Sequence, residues 1–310
     1  REFANTYNVL AGVVLHFKSP YQYSIDVHQK GYERGLDTGE IARAALNVSN
    51  ISLLKISKGE NLSLIYKHAT IALTFAKNKS LFFPMPVLTQ KLVTSLIEPS
   101  RNGLNALDDE QFEMEQLSIM KSSFHVTGLI HFRSQLAFWY DKKDLAKVYA
   151  QHLHDKIKLF PKMSIYIEHL FQYGLLLAEN LKTPKFNTRD REDLAFCTSK
   201  LQALAELYPQ NFEHKYTLLK AESGRYNNEP IEQLAPLYEL AINSASENGF
   251  LQYEALANEL YGAFWLSKRL PKMAESCLKE ALYSSIARII ILDKRTQFFP
   301  FSLISSFRFP

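Results

Sequence analysis

Nine histidines raise the question of metal or acid–base chemistry, and His152 with His154 is the tightest pair. Residues two apart on a helix point about 200° apart, so these two cannot share a metal's coordination shell as an i, i+4 pair does. His125 and His131 are spaced no better, and no cysteine or carboxylate cluster stands beside them. No metal is expected. Glu168 beside His169, and Asp141 near Asp144, are the residue types of a general acid and base. Adjacent helical side chains diverge, however, and the two aspartates fall at an expected hairpin turn, so both sets are read as solvated faces. Ser118, Ser122 and Ser123 near His125 offer a nucleophile and a base, but without the Gly-x-Ser-x-Gly elbow that exposes such a serine. The chain also has no phosphate-binding G-x-x-x-x-G-K-[ST] loop, no H-R-D and D-F-G pair, and no histidine-kinase glycine boxes. No catalytic residue and no cofactor are expected in this segment. ATPase, serine/threonine kinase or histidine kinase modules outside residues 1–310 of a parent chain stay open.

Residue types suited to binding are easier to find. In the stretch NFEHKY, Phe212 and Tyr216 are spaced to share a helix face, leaving His214 and Lys215 to reach polar partners. The aromatic pair is expected to lock two hairpins together while Lys215 stays in water. Tyr253, Glu254, Asn258, Glu259, Tyr261 and Trp265 place polar and aromatic groups along one helix, as the inner face of a concave repeat surface requires. The same residues could instead pack on the preceding hairpin. The candidate partner-binding set is Tyr253, Glu254, Asn258 and Tyr261, with His214 and Lys215.

The elements that must carry these residues are helical hairpins. The stretch GFLQYEALANELYGAFWLSKRLPKMAESCLKEAL, residues 249–282, fits the tetratricopeptide pattern of about 34 residues. Gly262 and Trp265 take the small and aromatic positions of its first helix, and Ala274, Leu278 and Ala281 the contact positions of its second. Upstream, helical periodicity predicts helices over 21–36, 41–48, 61–77 and 90–97. Thr38 is the expected N-cap of the second, with Glu40 in its first turn, and Pro84 and Pro86 are expected to interrupt the pattern before the fourth. Residues 99–109 read as a loop. Beyond it come 124–139 with 145–157, then 165–181, a loop over 184–190, a long helix over 191–208, and hairpins 212–226 with 231–245 and 250–268 with 272–287. The expected organisation is N-terminal hairpins over 1–98, a loop over 99–109, tetratricopeptide-like hairpins over 110–287 with the best repeat at 249–285, and an aromatic tail over 288–310 that is frayed or truncated. Eleven glycines and twelve prolines in 310 residues are few for the turns of a large β fold, and 46% hydrophobic residues suffice for a continuous core. The fold class is all-α, a tetratricopeptide-like superhelix or α-solenoid.

Four stretches, HFKSP (16–20), GLDTGE (35–40), NFEHKY (211–216) and GFLQYEALANELYG (249–262), resemble the helical region of large bacterial and fungal signalling proteins. Those proteins join a serine/threonine kinase-like domain, an AAA-type ATPase, a helical repeat region, a GAF domain and a histidine kinase. The matches follow the family's order to about residue 292, and none is a catalytic motif. The resemblance implies a spacer or regulatory platform between the ATPase and the sensor parts. Where relatives have a Trp-Gly-Ala turn, this sequence passes from Tyr283, Ser284 and Ser285 to Ile286 and Ala287.

The remaining composition narrows the partners. Thirty-six basic and 32 acidic residues nearly cancel to +4, with no basic run to track a phosphate backbone, so nucleic acid is not an expected partner. No apolar run reaches the roughly 18 residues of a membrane span. Cys197 and Cys277 lie in apolar helical patterns and suit a reducing, cytoplasmic setting; the Asn-x-Ser triplets at Asn47, Asn50, Asn61 and Asn78 then have no glycosylation role. The expected function is a non-catalytic interaction or regulatory segment of a multidomain signal-transduction ATPase or kinase, contacting proteins or neighbouring domains. The alternative is a free-standing adaptor that binds a peptide or partner protein in its concave groove.

Overall fold

The computed structural model describes residues 3–81, 84–98, 103–107 and 123–289. Among them every regular element is helical. In chain order the α-helices are α1 (Phe3–Val9), α2 (Tyr21–Asp37), α3 (Ile41–Lys58), α4 (Leu62–Asn78), α5 (Pro84–Ile97), α6 (Ser123–Trp139), α7 (Lys143–Ile157), α8 (Ser164–Glu179), α9 (Thr188–Leu207), α10 (Pro209–Asn227), α11 (Ile231–Glu247), α12 (Leu251–Ser267) and α13 (Pro271–Ile289). A π turn and a 3-10 turn link α1 to α2, and a second 3-10 turn spans Gly103–Leu107. The all-α expectation holds, and each helix packs on its chain neighbours. Ser118, Ser122 and the tail over 290–310 lie outside the described residues.

The α12–α13 hairpin shows why small residues sit where they do. Ala274, Leu278 and Ala281 are fully buried, and a Cβ added at Gly262 would stand 2.9 Å from Leu278. The two helices can cross this closely only because Gly262 has no side chain. Gly262→Val is expected to lower stability by about 2 kcal/mol through overpacking. Gly262→Ala should cost less, because Leu278 can shift and alanine gains up to about 1 kcal/mol in helix propensity. Thermal unfolding of the two variants measures both effects.

Other ends follow their capping chemistry. Asn187 accepts from the Asp190 amide at 3.0 Å, while the Asp190 carboxylate accepts from the Asn187 amide, so a reciprocal box opens α9. Asn187→Ala should cost about 1 kcal/mol by urea unfolding. Three sequence expectations need correction here. Thr38 closes α2 instead of opening α3: its hydroxyl donates to the Arg34 carbonyl at 2.8 Å. Glu40 is the residue that precedes α3, and its side chain makes no capping bond. Pro84 and Pro86 do not interrupt a helix but occupy the first turn of α5, where a missing N–H breaks no intrahelical bond. The 103–107 part of the expected loop is packed, with Leu107 buried and its carbonyl accepting from Arg133 at 2.9 Å.

Beyond neighbour packing, the chain folds back on itself. Helix α3 lies against α8, and α4 touches α13. At the start of α10, Asn211 Nδ2 donates to the carbonyls of His16 at 2.7 Å and Ser19 at 2.8 Å. Gln252 Nε2, at the start of α12, donates to the Ile56 carbonyl at 3.0 Å. Tyr21 meets Phe250 edge-on with ring centres 5.7 Å apart. Packed against α3, α6, α7, α9 and α10, α8 is buried at every position from Ser164 to Ala178.

Candidate functional site

A helix buried all round must find partners for any polar side chain it carries. Helix α8 carries Glu168 and His169, adjacent in sequence and therefore pointing apart, and each enters a separate polar cluster. Both are at most 2% exposed, which overturns the solvated-face reading of this pair.

The first cluster joins α8, α10 and α12. Lys215, 0% exposed, places Nζ 3.5 Å from Glu168 Oε1 and 3.8 Å from the ring centre of Tyr253. The Tyr253 hydroxyl donates to Glu168 Oε2, and Ser57 of α3 also bonds the carboxyl. Lys215 lies 3.0 Å from His214 Nε2. An ammonium only donates, so Nε2 accepts and the His214 proton sits on Nδ1. Burial pushes the Glu168 carboxyl up and pulls the Lys215 ammonium down to about 8, against their mutual attraction. The expectation that Lys215 stays in water is therefore corrected: Asn211, Lys215, Leu218 and Glu222 recur at helical spacing on the buried stripe of α10.

The second cluster joins α6, α7, α8 and α9. His154 Nδ1 and His169 Nε2 are 3.1 Å apart, His154 Nε2 lies 3.3 Å from Asp193 Oδ1, and the Tyr173 hydroxyl donates to Asp193 Oδ2 at 2.9 Å. The carboxylate favours a proton on His154 Nε2, so Nδ1 accepts from His169. Burial holds His154 and His169 below the ordinary histidine value; their mutual repulsion and His131 lower His169 further. His131 is held at about 3 by burial. His152 is exposed, so the His152–His154 pair is split between water and core as helix geometry required.

The remaining candidates disperse. Tyr253 and His214 are buried with Lys215. Glu254 is half-buried, Asn258 is 5% exposed with Nδ2 donating to the Glu254 carbonyl at 3.0 Å, and Tyr261 stacks on Tyr238 at 4.9 Å. Tyr238 in turn donates to the buried Glu222, which pairs with Arg225 at 3.3 Å. Asp141 and Asp144 are exposed, as expected of a turn, beside an open cleft of about 740 Å³ bridged by a Lys143–Glu179 pair at 2.7 Å.

Asn211, Gln252, Tyr173 and Asp193 were not singled out by sequence reasoning. For Asp193 a signal existed: Asp190, Asp193, Leu194, Cys197 and Leu201 share the buried face of α9, and a carboxylate on such a stripe needs a buried partner. Cys197 and Cys277 are both free thiols. Among the described residues no three His, Cys, Asp or Glu converge as a metal site, and no helix is long and apolar enough to cross a membrane. The sequence matches no protein-family model, no curated protein and no solved structure.

Proposed function

We propose that this chain is a tetratricopeptide-like superhelical segment with a non-catalytic, interaction or regulatory role in a multidomain signalling ATPase or kinase of the cytoplasm. One observation carries the reading. The ionisable groups that converge do so with one another at helix crossings, Glu168 with Lys215 and Asp193 with His154, where their contacts fix helix positions and substrate has no approach. The resemblance of four sequence stretches to the helical region of such signalling proteins supplies the setting. Contacts to neighbouring domains or partner proteins are the corresponding role.

The test is the open reading frame on both sides of Arg1 and Pro310. A phosphate-loop ATPase upstream and a sensor or histidine kinase downstream are expected. Stop codons close to both ends would contradict the reading and leave the free-standing adaptor. Robust ATP hydrolysis or phosphotransfer by the purified segment would contradict both.

A further inference from the structure

We infer that α1–α3 form a detachable cover: the unit occupies the inner face of α8, α10 and α12 as an internal ligand and leaves that face as one piece. The inference stands on the geometry of the interface and does not depend on the signalling assignment.

The cover is tied to itself. Asn47 Oδ1 of α3 accepts from His28 Nδ1 of α2 at 2.9 Å, and its Nδ2 donates to the Ala4 carbonyl of α1 at 3.0 Å. Gly31 lets α2 approach, since a Cβ there would meet Asn47 Oδ1 at 2.5 Å and Tyr7 at 2.8 Å. Three helices bonded through one buried asparagine move together.

Its attachment to the inner face is partly aromatic, with Phe17 and Tyr21 meeting Phe212 at 6.0 and 6.5 Å and Tyr21 meeting Phe250 at 5.7 Å, and Ser57 bonds Glu168. Two side-chain amides grip backbone carbonyls: Asn211 holds His16 and Ser19 at the irregular entry to α2, and Gln252 holds Ile56 and Ser57, carbonyls of the last turn of α3. The Ile56 carbonyl also accepts from the Gly59 amide at 2.9 Å, so Gln252 takes its second lone pair. Between these grips lie buried polar atoms without a hydrogen-bond partner among the described residues: Tyr21 Oη, His214 Nδ1 and Gln252 Oε1. Each regains hydration when the interface opens, which offsets part of the opening cost. The α12–α13 interface adds to its apolar packing a close helix crossing at Gly262. The cover ends at Gly59, whose φ of +74° and missing Cβ allow both the tight turn into α4 and the approach of Gln252, whose Cγ would stand 2.6 Å from a Cβ.

The arrangement hides Lys215, His214 and Tyr253. Opening of this kind is a sub-global event with a free energy below that of complete unfolding.

Native-state hydrogen–deuterium exchange on the full chain, at zero and low urea, tests the inference. Slow amides of α1–α3 are expected to exchange through a shared opening at least tenfold more populated than the one that exposes α12 and α13. The variant carrying Asn211→Ala and Gln252→Ala should accelerate α1–α3 about tenfold further and leave α12–α13 unchanged. Exchange of α1–α3 only through the same global event as α12–α13 would overturn the inference. Equal acceleration of all helices in the variant would also overturn it. The unsubstituted chain decides the matter alone if the variant does not fold.

Discussion

Acidification from pH 7 to pH 5 is expected to cost the folded chain several kcal/mol, visible as a large drop in urea midpoint. The cause is a set of histidines buried neutral. His16 and His28 are held at about 4 and His131 at about 3, in each case chiefly by burial, against an ordinary 6.5. His154, His169 and His214 are lowered for the same first reason. A histidine with a depressed folded value contributes fully above its unfolded value of 6.5. Below that the unfolded chain binds the proton first, so stability falls from pH 6.5 towards 4. Each histidine held at about 3 or 4 loses about 2 kcal/mol between pH 7 and pH 5. Glu168 and Glu222, raised by burial, act in the opposite direction, since protonation suits their sites. Six imidazoles outweigh two carboxyls, so acidification gives a net loss of stability. An unchanged midpoint between pH 7 and 5 would refute the neutral, buried assignment.

Lys215→Met is expected to destabilise the chain by about 3–5 kcal/mol at pH 7, because it leaves Glu168 buried without its cation. The methionine fills most of the space, so the cost is electrostatic. Burial is already the largest influence raising the Glu168 carboxyl, and Lys215 is the first of those opposing it. With the ammonium gone, the carboxyl takes up a proton in the folded state. A raised carboxyl costs nothing below its unfolded value of 4.5 and progressively more above it. The deficit relative to the parent chain should therefore shrink to about 1 kcal/mol at pH 5. Urea unfolding of parent and variant at both pH values separates this from a packing defect, which has no reason to vary with pH.

Helix-level architecture was legible because surface helices show their stripe: α4 buries Leu62, Ile65, Ala69, Ala72 and Ala76, the set that periodicity marks. The caps were less legible. Thr38 has the chemistry of an N-cap, but its hydroxyl serves equally well as a C-terminal donor, and only the chain's path decides which. The polar clusters were hidden by a different cause. Helix α8 is buried on every side, so its sequence has no polar face against which Glu168 and His169 would stand out. Lys215 and Asp193 did carry a signal, since each falls on the apolar stripe of its helix. Their partners lie far along the chain, Tyr253 85 residues beyond Glu168, and no local pattern encodes that pairing. The fold-back of α2 and α3 onto α10 and α12 is equally non-local, held by side-chain amides on backbone carbonyls.

The most direct measurement is a double-mutant cycle on Glu168→Gln and Lys215→Met, read by urea unfolding at pH 7. If the converging ionisable groups serve to tie α8, α10 and α12 together, each single variant loses stability and the double variant recovers part of it. A coupling of at least about 2 kcal/mol is then expected. Additive losses, with no coupling between the two positions, would contradict the account.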